Sequence, residues 1–466
     1  MRTSDLDVLD AAAAEAAQFL TRLATMPVQA PAGLATLRAR MGGSLPESPA
    51  APDEVIRRLV ADVEGGLMGS SGPRFFGWVI GGALPVAIAA DWLTTAWDQN
   101  AGIYTSSPAA AVAEEVAGGW LKELLGLPAG ASFGFVTGAQ MANTVAIAAA
   151  RHSLLRRRGI DVEKAGLSGA PAVRVLLNEN AHESLIRAVK FLGLGTDSIV
   201  RVRSEQSGAI ALEDLRRQLA RHADAPTVLC LVAGDLCQGA FDPFHQACDM
   251  AHAAGAWVHI DGAFGLWAAA HPDYRHLLAG HDKADSWVTD GHKWLNVPFD
   301  CGYVFVADSE AHRAVFSQRL TYAVSSEEAR DEMNWNPEWS RRARGFPTYA
   351  ALRSLGRAGI VEMIGRACES ARQLVGGLGE LPGVEVLSRP VINQGLVRFL
   401  DPAGSDHDAR TDQVIARIQA DGATWFGGTT WRGMRCMRVS VCNWRTTSAD
   451  VEQTILAVSR VLRGMQ

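Results

Sequence analysis

Residues 285–296, DSWVTDGHKWLN, decide how this chain is read: a short apolar run ends in a polar turn that delivers His292 and Lys293, with Trp294 directly after them. A lysine is ordinarily a solvated surface residue. Here apolar residues flank it on both sides, and an amine held among buried aromatic groups has its charge disfavoured, which makes it a better nucleophile. The run before the turn has the length of a strand. Further out, VRVLLN (173–178), PTVLCLVA (226–233), AWVHID (256–261) and GYVFVA (302–307) are also short, apolar and rich in β-branched residues. Helical stretches such as HESLIRAVKFL (182–192) and FHQACDMAHAAG (244–255) lie between some of them. Strands alternating with helices predict an α/β unit with a mainly parallel sheet covered on both faces.

Three further positions give Lys293 a context. Asp261 ends the AWVHID run, and a carboxylate at the carboxyl end of a parallel strand points into the crevice where α/β proteins bind ligands. Gly262 and Ala263 after it leave room for a flat ligand, although an Asp there also suits a turn cap. An amine able to form a Schiff base and an acid able to pair with a pyridinium nitrogen are together what pyridoxal phosphate requires. FVTGAQMANTVAIAAA (135–150) reads as strand, small-residue turn at Thr137-Gly138-Ala139-Gln140, then apolar helix. Small residues there bring backbone N–H groups to an anion at a helix N-terminus. The motif is neither a Walker loop nor a dinucleotide fingerprint. His182, where a strand gives way to a helix, is placed either to stack on a cofactor ring or to cap the helix.

The rest of the chain narrows the possibilities. It has 466 residues, 48% hydrophobic and 20% charged, a composition that excludes wholesale disorder. With 44 basic and 50 acidic residues the formal charge is −6 and no basic run stands out, which argues against nucleic acid and anionic lipid as partners. The seven cysteines are scattered and unpaired in pattern, with no metal knuckle, so a cytoplasmic location is expected and no metal. Acidic residues near the N-terminus argue against a signal peptide. The uncharged stretch from Leu124 to Ala150 is long enough to span a bilayer, but its Gly, Pro and Asn content predicts two short elements around a turn. The expected organisation is an N-terminal helical segment (1–70), a large α/β domain (71–340) and a smaller α+β domain (341–466). A charged, loop-like segment at 323–341 precedes the last of these, and RGFPTYAALRSLGRAGIVEMIGRACESARQLVGGL then reads as one or two long helices.

These segments, in this order and spacing, resemble the group II pyridoxal-phosphate-dependent amino acid decarboxylases, from about GPRFFGWV (72–79) to NWRTT (443–447). The resemblance implies the fold-type I, aspartate aminotransferase-like architecture, with a mostly parallel seven-stranded sheet. It implies pyridoxal 5'-phosphate as cofactor, with Lys293 as the Schiff-base lysine, Asp261 at the pyridine nitrogen, His182 stacked on the ring and Ala263 beneath it. Ala139, Gln140 and His292 would lie near the phosphate. Tyr322, in RLTYAVSSEEARDE, stands where family members carry a catalytic tyrosine on a loop. The resemblance also implies a homodimer, with N-terminal helices wrapped over the partner and the active site at the subunit interface. The sequence departs from the family in places: GAQMAN replaces a hydroxyl-rich run, Asp290 stands where several relatives have Asn, and VAGDLCQGAFDP replaces a VGTT-like segment.

The expected reaction is loss of CO₂ from an L-amino acid to give an amine. Phe76 and Trp78, with Asn100 in WDQNAGI (97–103), fall in stretches that line the substrate pocket in relatives, so an aromatic or apolar amino acid is expected. Arg74 fits an acidic side chain, and Arg438 fits either a substrate carboxylate or a structural ion pair. A carbon–carbon lyase would need cations for a substrate phosphate. An aldehyde-forming oxidative decarboxylase is disfavoured by Tyr at 322. A catalytically idle scaffold has no physical need for Lys293, Asp261 and His182 together.

Overall fold

The apolar runs form a single seven-stranded sheet in the computed structural model, which describes residues 3–318 and 329–465. The strands are β1 (Ser132–Val136), β2 (Arg174–Asn178), β3 (Ile199–Val202), β4 (Thr227–Val232), β5 (Trp257–Asp261), β6 (Ser286–Asp290) and β7 (Gly302–Val306), in spatial order 1-7-6-5-4-2-3. Neighbours pair in parallel from β6 through to β3, whereas β7 runs antiparallel to both β1 and β6. The GYVFVA run is therefore the exception to the parallel expectation. The reason is length: only residues 291–301 join β6 to β7, and a parallel return needs a longer crossover, usually with a helix in it.

Alternation along the central strands sorts side chains into two layers. Leu229 and Leu231 of β4 and Val258 and Ile260 of β5 join one buried cluster. Val228, Cys230 and Val232, with Trp257 of β5, join another, on the face crossed by the helix Ala139–Arg156. Burial on both faces is why these strands read as continuous apolar runs. The stretch Leu124–Ala150 resolves into a helix end, β1 and the start of that helix, and among the described residues no helix is long and apolar enough to cross a membrane.

Beyond residue 341 a 35-residue helical run, Gly345–Gly379, is kinked at Gly356, whose φ of 57° only glycine adopts readily. It packs on a four-stranded antiparallel sheet of β8 (Val384–Ser388), β9 (Gln394–Phe399), β10 (Gly427–Trp431) and β11 (Met434–Ser440), ordered 10-11-9-8. The helices His407–Asp421 and Ser448–Arg463 complete this layer. The described part of the charged segment, 329–341, turns inward: Arg330 lies between the rings of Phe133 and Trp335, while Glu332 and Arg341 are buried. The N-terminal segment forms the helices Thr3–Arg22, Leu34–Met41 and Pro52–Val63, of which the last two have no buried residue.

Candidate active site

A cavity of about 230 Å³ opens at the carboxyl ends of β4, β5 and β6, facing the starts of the helices Ala139–Arg156 and Glu183–Phe191. This is where an open α/β sheet presents its loops to a ligand. Lys293, Asp261 and His182 line it, as do Ala263, Ala139, Gln140 and His292.

Asp261 ends β5 and is 5% exposed. Its Oδ2 accepts a hydrogen bond from Asn143 Nδ2 at 3.0 Å and its Oδ1 one from the backbone N–H of Ala263 at 3.1 Å. An ionised carboxylate accepts about four such bonds, so capacity remains for a donor in the cavity. His182 caps a helix and also lines the cavity. It is the N-cap of Glu183–Phe191, with Nδ1 accepting the Ser184 N–H at 3.2 Å. Burial holds its pKa below the usual histidine value, against the pull of the Asp261 carboxylate.

Lys293 sits in the turn after β6. Its Nζ lies 3.0 Å from Asp290 Oδ2 and 5.9 Å from the centre of the Phe264 ring. Asp290 Oδ1 accepts the N–H of Ala139, the first residue of its helix, at 2.6 Å. The acidic group that the sequence places near the phosphate turn is thus held by two donors. His292 Nδ1 donates to the Cys301 carbonyl at 2.7 Å, which leaves Nε2 as the ring's other polar atom, and burial lowers the pKa of this imidazole. A side chain at residue 302 would collide with the backbone of Gly138, so Gly302 lets the first residue of β7 lie against the phosphate turn.

Asn296 fixes the far end of the lysine turn. Its Oδ1 accepts N–H groups from Gly82 at 2.7 Å and Trp444 at 3.1 Å, and its Nδ2 donates to the carbonyls of Trp294 and Cys442. Sequence reading passed over Asn296, and over Asn143 and Ser184. A polar residue inside an apolar stretch is no signal until its partners are known.

Phe76, Trp78 and Asn100, expected at the substrate, are not among the residues that line this cavity. Phe76 is fully buried against Phe426 in the core of the smaller sheet. Trp78 is exposed and packs on Trp425, and Asn100 Oδ1 accepts the Arg341 N–H at 3.1 Å. Arg74 is engaged by Asp450 and the Ala423 carbonyl. Tyr322 lies outside the described residues. Arg438 is 9% exposed, forms no ion pair among the described residues, and reaches only the Trp78 carbonyl (3.3 Å) and Gln394 Oε1 (3.4 Å). Its Nε is buried without a partner.

The donor set suits pyridoxal phosphate. A buried acid with spare acceptor capacity matches a protonated ring nitrogen, the lysine amine matches an aldehyde, and a helix N-terminus behind a small-residue turn matches the phosphate.

Comparison with known proteins agrees. Residues 36–400 match the pyridoxal-dependent decarboxylase conserved domain. The aromatic-L-amino-acid decarboxylase of Bacillus atrophaeus is 25% identical over 449 residues, 94% of this chain and 91% of that protein. The acidic amino acid decarboxylase GADL1 of Mus musculus is 28% identical over 339 residues, 71% of this chain and 61% of that protein. In fold, the crystal structure of Oryza sativa TDC with PLP and tryptamine superposes with a TM-score of 0.93, covering 100% of this chain and 99% of that one at 22% identity.

Proposed function

The chain belongs to the pyridoxal-dependent decarboxylase family, enzymes that use pyridoxal phosphate to decarboxylate amino acids, and on that footing we propose that it converts an apolar or aromatic L-amino acid to its amine, with Lys293 carrying the cofactor. When bound, the cofactor supplies an electron sink for the pair left at Cα as CO₂ departs. The protein's residues do the rest. Asp261 would hold a proton at the ring nitrogen, and His182 and Ala263 would hold the ring between them. Ala139, Gln140 and His292 receive the phosphate. Lys293, paired with Asp290 here, would hold the cofactor through Nζ. Arg438, buried and in no ion pair among the described residues, would supply a cation for the substrate carboxylate. Tyr322 returns a proton to Cα.

One observation supports the substrate class: among the described residues the charged side chains lining the cavity are Asp235, Asp261, Asp290 and Lys293, so with Arg438 taken by the α-carboxylate no further cation is offered to a second acid group. Such a field disfavours a substrate with a second carboxylate. The test is CO₂ release from a panel of amino acids by the purified protein. Turnover of tryptophan, tyrosine or phenylalanine above that of glutamate and cysteine sulfinate is expected. The reverse order refutes the substrate reading. Loss of the borohydride-reducible absorbance in Lys293→Ala, with the adduct mapped to Lys293 in the parent, tests the cofactor anchor.

We also propose a homodimer. Leu34, Met41, Val55 and Leu59 are exposed on helices that bury nothing within their own chain, and a second copy is the surface they fit. Seven free thiols suit a reducing cytoplasm.

A further inference from the structure

Five side chains form a hydrogen-bonded chain through the core behind the cavity. Trp257 Nε1–H donates to Ser286 Oγ (2.9 Å), and the Ser286 hydroxyl donates to His259 Nδ1 (2.9 Å). His259 Nε2–H donates to Asn143 Oδ1 (2.8 Å), and Asn143 Nδ2–H donates to Asp261 Oδ2 (3.0 Å). The direction is pinned at both ends, because an indole N–H can only donate and an ionised carboxylate can only accept. Turning the Asn143 amide over would set its carbonyl against the Asp261 carboxylate.

A branch leaves the same amide. Asn143 Nδ2 also donates to Ser184 Oγ (3.2 Å), so the Ser184 hydroxyl donates to His182 Nδ1 (2.8 Å). The Ser184 backbone N–H points at that nitrogen too, and the proton of neutral His182 is therefore on Nε2.

The arrangement follows from the sequence. In WVHID, residues 257, 259 and 261 share one face of β5. Ser286 of β6 stands in register with His259, and the helix Ala139–Arg156 crosses that face with Asn143 fully buried. Ala142, Val145 and Ala146 surround Asn143 in the helix, so packing alone asks for a small apolar residue here.

We propose that Asn143 is a positioning residue for the cofactor: it orients the Asp261 carboxylate directly and, through the Ser184 hydroxyl, supports the tautomer of His182. The inference rests on reading the cavity as the pyridoxal phosphate site. No proton travels along the chain, since reversal would require the indole to accept. Burial lowers the His259 pKa to about 4, so the imidazole stays neutral near pH 7 and its Nε2–H stays available. The ionisable groups nearest Asn143 are Asp261, His259 and His182, with Glu183, Lys293 and Arg438 acting on His182 from beyond.

The test uses the full-length protein freed of cofactor and titrated with pyridoxal phosphate at pH 8 and pH 6, read by tryptophan fluorescence and absorbance. Asn143→Asp keeps the acceptor for His259 but turns a second carboxylate on Asp261. At pH 8 its affinity should fall at least about tenfold below that of the parent. At pH 6 a proton shared between the two acids restores an O–H donor, and the gap should shrink to about threefold or less. Asn143→Leu, which no proton can rescue, should stay weak at both pH values. Parent-like binding by Asn143→Asp, or equal deficits in both variants at both pH values, overturns the proposal. If Asn143→Asp does not fold, Ser184→Ala decides: binding weakened at least about threefold at an unchanged thermal midpoint supports it, and unchanged binding overturns it. A parent protein that fails to bind pyridoxal phosphate refutes the cofactor reading itself.

Discussion

Replacing Asp290 by asparagine should tighten the enzyme's hold on its cofactor. In the structure Asp290 Oδ2 is 3.0 Å from Lys293 Nζ, and its Oδ1 accepts the Ala139 N–H at the helix start expected to receive the phosphate. Two unit charges at that separation attract by about 5 kcal/mol at an effective dielectric of about 20. Both ions give up hydration and Lys293 keeps 19% of its side chain in solvent, which reduces the net worth of the pair to about 1–2 kcal/mol. The pair must open before Nζ can bond to an aldehyde, so its strength opposes cofactor capture. The Asp290→Asn side chain would keep an acceptor for Ala139, release Lys293 and remove a negative charge from the phosphate turn. The expected gain is about tenfold in affinity for pyridoxal phosphate, since about 1.4 kcal/mol corresponds to a factor of ten. Equilibrium titration of cofactor-free protein by tryptophan quenching measures it. Pyridoxal, which lacks the phosphate, separates the two contributions: release of the lysine helps both ligands, and removal of the charge helps only the phosphorylated one. Equal or weaker binding of pyridoxal phosphate by the variant would show that the Asp290 pair does not oppose loading.

Other consequences are as accessible. Arg341 and Glu114 form a fully buried two-point ion pair at 2.8 and 3.0 Å, and Arg341→Met, which strands the glutamate, should cost about 3–5 kcal/mol in urea unfolding. The double variant Arg341→Met/Glu114→Leu should recover most of that loss; a double as unstable as the single would assign the effect to packing instead. Burial holds His259 at about 4 and His312 at about 3, below the 6.5 of an unfolded chain, so the unfolded state binds more protons across that range. Stability should be complete above about pH 7 and fall by about 2 kcal/mol per histidine by pH 5, as urea midpoints at the two pH values will read. Tyr322→Phe should slow amine release and let aldehyde appear; undiminished amine formation removes Tyr322 from the reaction.

Much of the site is written locally and was legible for that reason. The strand that ends in Asp261, the turn that carries Lys293 and the small-residue helix start at Ala139 each show their character within a dozen residues. His182 was legible only as a choice between cap and ring contact; the fold makes it the cap and sets it on the cavity wall. What escaped depends on contacts between distant segments. Asn143 meets Asp261 and His259 only when a helix crosses β5, and nothing within GAQMAN marks it. β7 has a parallel strand's composition, and its direction follows from the length of the link before it. Phe76 and Trp78 carry an aromatic signal, but one fills the smaller core and the other stacks on its outer edge.

The hydrogen bonds of Asn296 bear on how the protein is made. They tie the lysine turn to Gly82, more than two hundred residues earlier, and to Cys442 and Trp444, almost a hundred and fifty residues later. On the ribosome the seven-stranded sheet can assemble well before those last partners emerge, because domains fold as they are synthesised. The turn that carries Lys293 stays only partly fastened until residues 442–444 have been made. A chain truncated before residue 442 would contain Lys293, Asp261 and His182 and still lack two of the contacts that hold the lysine turn in place.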